Sequence, residues 1–178
     1  MKRLLLVLIL LTGCAHTSLF NISDNLPKYP KLSMTDTEND IKIIISYFFD
    51  HVGMSKQKNS ISFWSIGIQK KPIIFRSQAE DGGIKYIVLE GLTYPPGRLV
   101  IIYSYQNCLA ASSLIHELFH VVGYTHRDSP EIFKESNNLT KQAIKELCGE
   151  DYVIPPFPEI RKEWFEDTLE MPPEGMDI

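Results

Sequence analysis

The chain has 178 residues, of which 44% are hydrophobic and 22% charged, with a formal net charge of −4. That balance supports one packed domain and excludes a disordered tail protein, a collagen-like fibre and a polytopic membrane protein. With no basic surplus to neutralise phosphates, it also argues against a nucleic-acid partner.

At the N-terminus, Lys2 and Arg3 precede an apolar run from Leu4 to Leu11. The run is long enough for the core of an export signal and too short to span a bilayer. It ends in Leu11-Thr12-Gly13-Cys14, which resembles the bacterial lipobox. The resemblance implies removal of residues 1–13, acylation of Cys14 and attachment to the cell envelope through that lipid. Ala15, rather than an aspartate, after the cysteine implies the outer membrane where the cell has one. An ordinary export signal or a buried apolar segment is the alternative. Residues 14–35 carry Ser, Asn and Asp, the pairs Leu26-Pro27 and Tyr29-Pro30, and no apolar period, so a tether is expected there with His16 in solvent.

From Asp36 to Val52, Ile41, Ile44, Ile45, Phe48, Phe49 and Val52 recur at helical spacing, which predicts an amphipathic helix. Thr35 or Asp36 is its expected cap, Gly53 its stop, and His51 sits near its negative end. Four runs rich in Ile, Val, Phe and Tyr then predict strands: Ile61–Ile68, Ile73–Phe75, Ile84–Glu90 and Leu99–Tyr105. Turn residues such as Asp81-Gly82-Gly83 and Pro95-Pro96-Gly97 bound them. Helices follow at Leu109–Val122 and Leu139–Leu147, the latter closed by Gly149. The order predicts an α+β domain over residues 36–150, a mixed sheet backed by helices.

Residues 151–178 hold eight acidic and two basic side chains, so all the excess charge of the mature chain sits there. Tyr152, Phe157, Trp164 and Phe165 make this stretch too aromatic for a purely solvated tail, and a Pro-rich strap across the domain surface is expected. Once Cys14 is acylated, Cys108 and Cys148 form an even pair in a disulfide-permitting compartment. They are expected either as a bridge or as two buried thiols.

The chemistry concentrates in His116-Glu117-Leu118-Phe119-His120-Val121-Val122-Gly123-Tyr124-Thr125-His126. On a helix, residues four apart share a face, so His116 and His120 can aim at one point. Glu117 lies beside that point, not on it, and is placed to take a proton from water there. Gly123 supplies the backbone freedom to end the helix and turn the chain back, bringing His126 as a third ligand. Three imidazoles on one zinc ion leave its fourth position open, the arrangement of a catalytic site. Tyr124 could stabilise an oxyanion or pack over the turn. Asp128 could orient a ligand, although a turn role before Pro130 is the simpler reading.

This H-E-x-x-H-x-x-G-x-x-H pattern resembles the metzincin clan of zinc metallopeptidases, and the order of helices and strands over residues 36–148 is similar. The resemblance implies a metzincin-like twisted sheet, a single catalytic Zn2+ on His116, His120 and His126, Glu117 as general base, and a peptide or protein substrate. It further implies that the substrate lies extended along an edge strand, for which Ile84–Glu90 is the candidate. The clan's methionine turn is not evident, since residues 127–147 contain no Met. Phe133 stands near that position and Met171 is a second candidate floor. Two other functions stay open: a non-hydrolytic zinc-binding lipoprotein that docks a partner, and a latent protease covered by its C-terminal tail. A monomer is expected in each case.

Overall fold

Thr37–His51 forms the first helix, α1, of the computed structural model, which describes residues 28–33, 36–103 and 107–170. Asp36 caps it, its carboxylate accepting the Asn39 backbone N–H at 3.1 Å, and Glu38 and Asp40 complement the positive helix end. Ile44, Ile45, Phe48, Phe49 and Val52 are buried as their spacing requires. Gly53, at φ 70°, ends the helix. His51 is buried, stacked on the Tyr47 ring, with Nδ1 2.8 Å from the Tyr47 carbonyl oxygen. It therefore satisfies an acceptor in the last turn of its own helix.

The strand expected at Ile61–Ile68 starts late. Ser55–Phe63 is a 3-10 helix, and only Ser65–Gln69 extends, as β1. The cause is local: the hydroxyls of Ser60 and Ser62 donate to the carbonyls of Gln57 and Asn59, which offers the backbone a turn instead of a ladder. Strands β2 (Ile73–Gln78) and β3 (Ile84–Leu89) form an antiparallel hairpin. At its tip Asp81 accepts the Gly83 N–H at 2.9 Å and Gly82 takes φ 81°. A further short strand, β4 (Gly91–Tyr94), escaped the pattern reading, and β5 (Leu99–Tyr103) follows it.

The strands form two small sheets where one was expected. In the first, β5 lies between a parallel β1 and an antiparallel β4. In the second, β2 lies between β3 and β6, a two-residue strand at Leu169–Glu170. The α+β class stands.

Helix α2 spans Asn107–Val121 and helix α3 Pro130–Cys148. The latter begins well before the expected Leu139, because Pro130 occupies the first helical turn behind Ser129, where its missing N–H costs nothing. Cys108 and Cys148 are joined by a disulfide with a Cα–Cα distance of 6.1 Å. The main core fills the space between α1, α2, α3 and the first sheet, with the Phe119 ring edge-on to Phe48 at 4.9 Å.

Part of the expected tether belongs to the domain. Leu32 is buried and its N–H donates to the Leu147 carbonyl at 2.9 Å, while the Tyr29 hydroxyl donates to Asp50 of α1. Cys14, His16, the export segment, Thr35 and Met171 lie outside the described residues. Residues 151–170 of the strap pack on the domain through Trp164 and Leu169. Trp164 is buried against Ile74 and Tyr103, and Leu169 pairs with Phe75. Asp167 and Glu170 meet Lys71 and Arg76 in exposed ion pairs that add little. Among the described residues no helix is long and apolar enough to cross a membrane.

Candidate metal centre

Ser113, His116, Glu117 and His120 follow one another along a single face of α2. The His116 and His120 rings stand 5.3 Å apart, centroid to centroid. After Val121 the chain reverses at Gly123, whose φ of 98° a side chain would resist, and the Tyr124 N–H closes the turn on the Phe119 carbonyl at 3.0 Å. The reversal delivers His126 to within 5.1 Å of the His116 ring and 4.9 Å of the His120 ring.

One ligand nitrogen from each ring lies within 4.8 Å of the others, so this group can hold a metal ion. The Nε2 atoms of His116 and His126 are 3.2 Å apart. Two nitrogens bound tetrahedrally at 2.0–2.1 Å would be separated by about 3.3 Å, so the spacing fits a shared ion. Two further features favour ligation. Burial, then the neighbouring imidazoles, push His116 down to about 4, which keeps it in the neutral form that binds metals. His120 Nδ1 lies 2.9 Å from the Tyr124 carbonyl; as donor there, it puts the ring's lone pair on Nε2. Tyr124 thus contributes a carbonyl, while its ring packs 6.3 Å from Phe119 over the turn. Asp128 takes the turn role, its carboxylate accepting the Thr125 hydroxyl at 2.9 Å.

Phe133, on the first turns of α3, forms the floor. Its ring lies 3.9, 4.7 and 5.1 Å from the rings of His126, His120 and His116. Phe133→Ala is expected to cost about 3–5 kcal/mol of stability and to loosen metal binding about tenfold or more. Phe133→Met should hold affinity within about tenfold, since a thioether of similar bulk refills the gap. Chelator competition and thermal melts check both.

Glu117 does not join the imidazole cluster. It is 5% exposed, packed against Gly91, and its Oε2 accepts the Thr93 hydroxyl at 2.7 Å. A Cβ at Gly91 would overlap the carboxylate, so any side chain there would push Glu117 from this position. Gly91 and Thr93 were not anticipated from sequence; a glycine two residues before a threonine in an extended run was the available signal. Burial raises the Glu117 carboxyl to about 7, against the opposing pull of the Thr93 hydrogen bond.

That shift has a thermodynamic consequence in metal-free protein. Between pH 4.5 and 7 the folded state keeps the Glu117 proton and the unfolded chain loses it, so this residue's contribution to stability falls as pH rises. Glu117→Gln removes the penalty and retains an acceptor for Thr93. Chelated E117Q is therefore expected to be more stable than wild type at pH 8, by on the order of 3 kcal/mol, with the gap closing below pH 4.5. Chemical denaturation at several pH values measures it.

The cluster opens into a cleft of about 360 Å³ between α2 and the chain from Val88 to Thr93. The edge strand beside Glu117 is β4, not Ile84–Glu90 as expected, because β3 belongs to the other sheet and only its last residues reach the cleft. No residue of 151–170 lines the cleft, so the described part of the strap does not cover it. Comparison with protein-family models, curated proteins and solved structures found no match.

Proposed function

We propose that the chain is a zinc-dependent metalloendopeptidase of the metzincin type, held at the bacterial envelope by lipid on Cys14. The observation that carries this reading is the convergence of His116, His120 and His126 on one point with the Glu117 carboxyl alongside. Three imidazoles suit zinc, a borderline-soft ion content with tetrahedral nitrogen ligation. When bound, zinc would polarise the scissile carbonyl and acidify water at its open position.

The chain's own residues supply the remaining steps. The outer edge of β4 offers backbone donors and acceptors to an extended peptide, which sets the scissile bond over α2. Glu117 takes a proton from the attacking water as its oxygen bonds to the carbonyl carbon, and returns that proton to the amide nitrogen as the C–N bond breaks. Thr93 and Gly91 hold the carboxylate in one orientation for both transfers. Phe133 closes the floor beneath His126 with apolar bulk, the role that the resemblance gives to a methionine. The Cys108–Cys148 disulfide agrees with an exported protein, since such bonds persist in oxidising compartments.

Purified full-length mature protein incubated with a mixed-sequence peptide library tests the reading. Cleavage that stops with chelator and returns with zinc is the expected result; cleavage indifferent to chelator, or none, overturns it. A docking protein that only binds metal would have no use for a buried carboxyl beside the ion, which is the argument against that alternative.

A further inference from the structure

The cleft is asymmetric along α2. At one end stand His120 and His126, and one helical turn before His116 stands Ser113, whose hydroxyl faces a second carboxylate, Glu90, at 3.5 Å. Glu90 occupies the bend where the chain passes from β3 to β4, and its carbonyl is fixed by the Tyr103 N–H at 2.7 Å. The bend is thus anchored to the central strand β5 while the side chain looks into the cleft. Neither the catalytic steps nor the metal cluster uses Glu90.

Among the described residues no lysine or arginine lines this cleft, and the other carboxyl there, Glu117, is buried beneath Gly91. Glu90 therefore presents acceptor oxygens to a cleft whose described lining carries no lysine or arginine. Val88 and Leu92 flank it with apolar surface suited to the methylene stem of a long side chain. A residue of extended peptide advances about 3.3 Å, and one helical turn is about 5.4 Å. A substrate laid along β4 would bring a side chain one or two residues from the scissile bond to Glu90.

Resting on the peptidase reading, we propose that Glu90 is a specificity-determining residue that selects substrates bearing arginine or lysine within two residues of the cut. Arginine is the better fit, since its planar fork can take both carboxylate oxygens. The pair is open to solvent, so the selection is graded rather than absolute, about fivefold over a neutral residue of similar length.

The test sequences the products of a mixed peptide library cut by mature wild-type protein, E90Q and E90K, each first checked for one metal per chain. Wild type is expected to enrich arginine and lysine about fivefold at one position within two residues of the cut. In E90Q the enrichment at that position should vanish. In E90K it should invert toward aspartate and glutamate. Cleavage with no basic preference, or a preference unchanged in both variants, overturns the assignment. If wild type cuts nothing in a chelator-sensitive way, the hydrolase reading fails and the role of Glu90 fails with it.

Discussion

Glu117→Gln is expected to lower kcat/KM for peptide hydrolysis by about 10²- to 10⁴-fold, the range for loss of a positioned general base, while the protein still takes up one metal ion per chain. The separation of the two effects follows from the structure. Glu117 is the helix neighbour of His116 but points to Gly91 and Thr93, outside the group of nitrogens that can share an ion. Glutamine keeps the shape and the Thr93 hydrogen bond and lacks only the ability to carry a proton. Paired measurements of turnover and metal content settle the point. Hydrolysis at wild-type rate in E117Q would remove this carboxyl from the reaction; lost metal would make it structural.

Cys148→Ser is expected to cost about 4 kcal/mol, the loop-closure entropy of a sequence separation of 40 residues, and to lower the melting temperature by about 10–15 °C. The damage should reach the site. The bridge ties the first turn of α2 to the last turn of α3, and those helices carry two imidazoles and the Phe133 floor between them. Metal affinity in Cys148→Ser should therefore fall along with stability, and saturating zinc should recover part of the lost melting temperature by mass action. Differential scanning calorimetry with and without zinc, on reduced and oxidised wild type as reference, reads both effects. A variant that melts with wild type would show that packing alone holds α2 against α3.

The histidine cluster was legible in sequence because its geometry is local. Two histidines four apart need only a helix, and Gly123 needs only its positive φ to return the chain to His126. Helix α1 was legible for the same reason, its period lying within one element. What was not legible depends on partners distant in the chain. Gly91 and Thr93 matter because β4 packs on α2, and nothing near them announces Glu117. The division into two sheets likewise depends on which strand β5 accepts on each side. The early start of α3 turned on a single choice, since Pro130 can either break a chain or begin a helix. Leu32 was read as tether because one apolar residue among polar ones carries no period, yet it sits in the core.

The bond between Cys108 and Cys148 closes a covalent ring that contains every imidazole of the cluster, Glu117 and Phe133. A single nick anywhere on that ring, for instance at the surface turn around Asp128, would leave two fragments linked to each other and all the metal-binding groups within one molecule. For a peptidase of the proposed kind, exposed to cleavage by its own copies, such a circuit turns an otherwise fatal cut into a scar.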